Sequence, residues 1–178
     1  MIIDDVTIIR DIENYVSFVR GTGLKLSITF VDSKLKLLYP SFGVIEYHHC
    51  SLCNYVKSQG TRMCYYNKNR LVRKRLREPV YATCPYGVEE FIRPVVYDGT
   101  TIAYLHVTGY RGKLPRSERF FEFHKNRLPE EYIKEYAALD DAPPSGDFID
   151  AALVPLRYIL IELYLGFVRD RVPLSGYD

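Results

Sequence analysis

This chain has no tryptophan and only two methionines, which leaves its aromatic packing to 16 tyrosines and 9 phenylalanines. Tyrosine brings a rigid apolar ring with one hydroxyl, so it suits cores that must also meet something polar. Cysteine is scarce: Cys50, Cys53, Cys64 and Cys84 are all there are. Excess charge is lacking as well. With 24 basic and 22 acidic residues the formal net charge is +2, too little to argue for nucleic-acid binding through bulk charge. No apolar run suffices to cross a membrane, because the most hydrophobic window, 151–168, is broken by Pro155, Arg157 and Glu162. No secretory signal is expected at the N-terminus, since Asp4 and Asp5 follow directly on Met1, Ile2 and Ile3. The expected compartment is the reducing cytoplasm, with the cysteines as free thiols.

What is present reads as one folded globule. A chain of 178 residues with 47% hydrophobic content buries about 70% of its unfolded surface. Asp5 can cap a first helix whose apolar positions Val6, Ile9, Ile12, Val16 and Val19 recur at steps of three and four. Gly21 and Gly23 stop it. Residues 24–31 alternate as a strand does, with Leu24, Leu26, Ile28 and Phe30 on one face. Asp32-Ser33-Lys34 then reads as a turn and 35–39 as a partner strand. Two helices are predicted near 51–58 and 61–77. On the second, Cys64, Asn67 and Leu71 share one inward face, and Pro79 ends it. Strands come next over 80–84, 91–97 and 101–108, the last two joined by Asp98-Gly99, a strong hairpin signal. Polar helical stretches begin at Pro115 and at Leu128-Pro129-Glu130.

The segment 140–146 (DDAPPSG) is the clearest linker. Beyond it Ile149, Leu153, Leu156, Leu160, Leu163 and Phe167 alternate steps of four and three, a 3.5 period that favours helix pairing, within the domain or between two chains. Residues 57–77 hold eight basic side chains and no acidic one. A basic helix could meet DNA phosphates or an acidic partner; the plainer reading is a solvated face balanced by the acidic 118–150 region.

The cysteine cluster and the segment after it, as far as Gly109, carry the strongest resemblance. The features are Cys53 opening a helix, Gly60 and Cys64 on the next, and Tyr81-x-x-Cys84-Pro85-Tyr86-Gly87-Val88-x-Glu90. After them come the Arg93-Pro94-Val95-Val96 strand, the Asp98-Gly99 turn, and Ile102-Ala103-Tyr104-Leu105 leading to Gly109. This pattern resembles the PocR sensory domain, a PAS-like module often found ahead of AraC-type DNA-binding domains in bacterial regulators. Cys53, Cys64 and Cys84 match family positions, whereas Cys50 is an extra. The chain departs from the family at Asn67, where Asp is usual, and at Tyr110, where Gln often follows the glycine.

The resemblance implies an α+β, PAS/GAF-like antiparallel sheet of about five strands, with helices on one face and a C-terminal helix. It also implies a sensory role without catalysis, for short alcohols, diols or polyols. Residues 1–140 would be the sensory domain, and 141–178 a linker and a C-terminal signalling helix that dimerises. DNA would be reached only through an output domain outside these residues, and no membrane is involved. The implied ligand site gathers Cys53, Cys64, Asn67, Tyr81, Cys84, Tyr86, Glu90 and Arg93, with Gly87 allowing close backbone approach.

Other chemistries compete for the same cysteines. Cys50-x-x-Cys53 is half of a zinc or iron–sulfur site, and Cys64 with Cys84 would complete it, although they are 20 positions apart. His48 and His49 could join, but neighbours on a strand point in opposite directions. A redox module using the same cluster is the companion reading, though the thioredoxin context of βαβ is lacking. The thiols can also pack as small hydrophobes. Enzymatic motifs are thin: no phosphate-binding glycine loop, serine elbow or HExxH occurs. His106 reads as a satisfied sheet residue, and Glu89 and Glu90 are separated by strand alternation.

Overall fold

The computed structural model describes residues 5–36, 50–60, 62–111, 114–141 and 145–169. In chain order the elements are α1 (Asp5–Gly21), β1 (Leu26–Phe30), α2 (Ser33–Lys36), α3 (Ser51–Ser58) and α4 (Met63–Lys74). They continue with β2 (Val80–Thr83), β3 (Val88–Tyr97), β4 (Thr100–Arg111), α5 (Pro115–Lys125), α6 (Glu130–Ala137) and α7 (Gly146–Arg169). The strands form an antiparallel sheet in the order β1-β4-β3-β2. The architecture is α+β.

Alternation along the strands decides what covers each side of this sheet. Leu26, Ile28 and Phe30 of β1, Leu105 and Val107 of β4, and Phe91 and Val95 of β3 join one apolar core. The intervening Ser27, Thr29, His106, Thr108 and Glu90 are buried as well, on the other side. A sheet buried on both faces must carry helices on both. Hence α1 and α7 cover the apolar face, while Leu71 of α4 packs on Ile92 and Tyr104 across the sheet. The expectation of helices on a single face is corrected by these buried polar positions.

Four strands are found among the described residues where about five were expected. The difference begins at 35 and 36, which belong to α2. Asp32 accepts a hydrogen bond from the Leu35 amide at 3.2 Å, so it caps the short α2 in place of opening a strand turn. Residues 37–39 lie outside the described residues, as do His48 and His49.

Two turns formed as their residues dictate. Asp98 and Gly99 both have positive φ, 46° and 68°, which is the two-residue hairpin geometry that follows sheet twist. Between β2 and β3, the Gly87 amide bonds back to the Cys84 carbonyl at 3.0 Å and the Cys84 amide to Val88 at 2.9 Å. With Gly87 at φ 83°, this is a three-residue hairpin loop with a glycine bulge. α4 stops earlier than Pro79 requires, because Arg75 turns left-handed at φ 48°.

The stripe on α7 closes the apolar core from its own chain. Ile149, Leu153, Leu156, Leu160 and Leu163 are fully buried in the same cluster as Ile12, Val16 and Val19 of α1. The Tyr15 hydroxyl donates to the Ala152 carbonyl at 2.7 Å, and Arg93 of β3 pairs with Asp150 at 3.2 Å. For these five residues intrachain packing replaces the expected pairing with a second chain; the side chain of Phe167 lies outside the described set. Pro155 is tolerated in mid-helix because it faces solvent, where water can satisfy the carbonyl it leaves without a donor. Among the described residues no helix is long and apolar enough to cross a membrane.

Candidate functional site

The polar face of the sheet does not pack tightly against the helices above it. β4 supplies His106 and Thr108, β1 supplies Thr29 and β3 supplies Glu90. Over them stand Cys53 and Lys57 of α3, Cys64, Asn67, Lys68 and Leu71 of α4, and the Cys84-Pro85 corner. Together they enclose a cavity of about 50 Å³. One water needs about 10–15 Å³ of such space, so the cavity holds a few waters or one organic molecule of a few heavy atoms.

Five of the eight expected ligand residues meet there: Cys53, Cys64, Asn67, Cys84 and Glu90. The helical spacing of Cys64, Asn67 and Leu71 does bring them to one wall. The other three are placed elsewhere, each for a local reason. Tyr81 sits opposite Phe91 in the β2–β3 register, and their rings lie 5.1 Å apart, so Tyr81 shares the opposite face of the sheet. Arg93 follows Ile92 and alternates to the α7 side, where Asp150 holds it. Tyr86 projects from the hairpin loop into a second core, stacked on His124 at 4.9 Å. Tyr110, a departure from the family pattern, joins the α1–α7 core and does not line the cavity; burial and then Asp140 push its phenol up to about 12.

His106, Thr29 and Thr108 were missed, although a signal existed. They are the polar alternates of strands whose other residues are apolar, and polar residues on a strand with no exposed face imply a polar cavity. The His106 ring nitrogen Nδ1 lies 3.3 Å from Glu90 Oε2, both side chains nearly inaccessible. Glu89 points away, accepting from the Leu114 amide at 2.9 Å, so the two adjacent carboxylates do separate.

Cys50 caps α3, its sulfur accepting from the Cys53 amide at 3.2 Å and lying 2.8 Å from the Cys53 sulfur. The Cys53 thiol, the cap amide, Lys25 and Lys57 favour the Cys50 thiolate and push that group below the ordinary cysteine range, against burial. Cys53 moves the opposite way, held protonated by its hydrogen bond to Cys50 and by burial. Burial raises Cys64 and Cys84, and Cys84 Sγ accepts from the Tyr86 amide at 3.4 Å. Gly109, at φ 99°, is the bulge that lets β4 approach Cys50: a Cβ there would lie 3.1 Å from Cys50 Cβ.

Among the described residues, no group of three or more His, Cys, Asp or Glu is arranged to hold a metal ion. The alternative set of Cys50, Cys53, Cys64 and Cys84 is therefore not assembled as one cage. A broader groove of about 470 Å³, between α4 and α5, is lined by Met63, Arg116, Arg119, Phe120, Phe123 and His124. It contains none of the cysteines.

The sheet thus has one dry face and one face that borders a small cavity with polar residues on its floor. The family model for the sensory domain found in PocR matches residues 6–144. The chain belongs to this family, and is a sensory domain. No curated protein and no solved structure matches it.

Proposed function

We propose that this sensory domain binds a short alcohol, diol or polyol in the cavity over the sheet and releases it unchanged. The observation that carries the reading is the cavity's size and lining. Thr29 and Thr108 offer hydroxyls, Glu90 an acceptor, Lys57 and Lys68 donors, while Leu71, Pro85 and the thiols of Cys53, Cys64 and Cys84 meet methylene groups. A molecule bearing hydroxyls on a short carbon chain needs that mixture, since each hydroxyl both donates and accepts. The burial that keeps Cys64 and Cys84 protonated makes them poor nucleophiles, in keeping with binding over turnover.

Occupancy would be read by an AraC-type DNA-binding output in the cytoplasm, as the family resemblance implies. A homodimer through α7 would use its outer face, where Val154 and Tyr158 are exposed four residues apart and so neighbours on one side.

Affinity has a ceiling. Five heavy atoms gain at most roughly 7.5 kcal/mol at about 1.5 per atom, which corresponds to the micromolar range. A thermal-shift screen with propanediols, glycerol and short alcohols should find a stabiliser at millimolar concentration. Thr108→Leu, which fills the cavity, should remove the shift and leave the circular dichroism spectrum unchanged. Stabilisation by aromatic or nucleotide ligands alone would overturn the assigned ligand class.

A further inference from the structure

Cys50 and Cys53 differ from the other two cysteines in being already in contact, with sulfurs 2.8 Å apart across the first turn of α3. A disulfide needs about 2.05 Å between sulfurs, an approach that small side-chain rotations supply. Cys53 lines the cavity, whereas Cys50 is buried behind it, 2% exposed. The pair thus has one sulfur facing the cavity and one facing protein. Lys25 and Lys57 flank it electrostatically, and the cap amide points at Cys50. A helix start beside cations is where cysteine becomes reactive.

We propose that Cys50 and Cys53 are a modification site for small hydroperoxides, which enter the cavity and close the pair into a reversible disulfide. The Cys53 sulfur attacks one peroxide oxygen, forming an S–O bond as the O–O bond breaks. Cys50, the partner whose thiolate is favoured, acts as the base: the Cys53 proton, otherwise held in place, passes to it across the 2.8 Å contact as the attack begins, and on to the departing oxygen, which leaves as water. The Cys50 sulfur then attacks the Cys53 sulfenic acid, the S–S bond forms, the S–O bond breaks, and hydroxide takes the remaining thiol proton and leaves as a second water. Two thiols and one hydrogen peroxide become one disulfide and two waters, with two electrons passing from sulfur to oxygen. The cavity's 50 Å³ admits hydrogen peroxide and excludes a bulky aromatic hydroperoxide. Closing the bond draws the Cys53 sulfur toward Cys50 and away from the cavity wall.

The test uses the reduced chain without any cavity ligand, so it stands apart from the metabolite reading. Hydrogen peroxide at low molar excess should give a product two hydrogens lighter, with one disulfide mapped to the peptide holding Cys50 and Cys53 and reversed by dithiothreitol. Cumene hydroperoxide should react about tenfold more slowly, since thiol reactivity depends on access. Cys50→Ser should stop at a Cys53 sulfenic acid that dimedone traps, while Cys64→Ser should leave disulfide formation intact. If Cys50→Ser does not fold, the peptide map of the native chain decides. Oxidation appearing first at Cys64 or Cys84, equal rates with both peroxides, no mass change in the folded chain, or near-stoichiometric zinc bound to the reduced protein would each overturn the proposal.

Discussion

Gly87 meets two constraints at one position. Its φ of 83° is costly for any residue with a Cβ, and a Cβ there would lie 3.1 Å from both the Ser117 carbonyl and Tyr136 Cε2. Gly99 has only the first constraint, at φ 68° with nothing within 4 Å. Gly87→Ala should therefore lose more stability in urea titration than Gly99→Ala, for which about 1–2 kcal/mol of backbone strain is expected. Equal losses would mean that the packing around Gly87 yields freely. The requirement at Gly87 was legible, because Cys-Pro-Tyr-Gly between two strands needs a left-handed residue at its end. The roles of Thr29 and His106 were less so. A polar residue alternating in a strand looks solvent-facing until the strand is known to be covered on both sides, and that depends on where α4 folds.

The α7 helix shows where pattern reading stops at the scale of an element. A 3.5-period stripe identifies the buried face, but the same spacing serves a partner helix or the chain's own sheet. Burial of Leu153, Leu156, Leu160 and Leu163 against α1 and the strands selects the second. Leu160→Ala should cost about 2–5 kcal/mol, read as a lowered urea midpoint with unchanged slope. Tyr158→Lys, at a position 67% exposed, should leave stability within about 0.5 kcal/mol. In sedimentation it should convert a dimeric parent to monomer if the outer face pairs copies, and a folded dimer that persists would remove that face from the interface. Of the strand expected at 35–39 only 35 and 36 are described, and there the pattern misled for a related reason: alternation over five residues is weak, and one capping aspartate at position 32 starts a helical turn instead.

Across the whole molecule the sheet separates two differently built cores. The α1–α7 side is mainly aliphatic, whereas the side bearing the cysteines is tied by polar links from tyrosine and histidine to the β2–β3 loop. Tyr132 donates to the Tyr86 carbonyl at 2.9 Å, Tyr136 to the Gly87 carbonyl at 3.3 Å, and His124 Nε2 lies 2.9 Å from the Pro85 carbonyl. Burial lowers the His124 pKa from its ordinary value of 6.5, with Arg127 adding to it and the Pro85 carbonyl opposing. The fold thus prefers the neutral ring, and a depressed pKa contributes stability that is full above 6.5 and shrinks as pH falls through the folded value. Acidification from about pH 7.5 to about pH 5.5, across the histidine range, should therefore loosen the second core first. Protection factors, which remove the intrinsic slowing of amide exchange at lower pH, should fall in α5, α6 and the β2–β3 loop, while α1, α7 and β4 keep theirs. His124→Gln, which retains an amide donor toward Pro85 but does not titrate, should abolish the difference. Uniform loss of protection across both cores, or an unchanged pattern in His124→Gln, would place the acid response on another group.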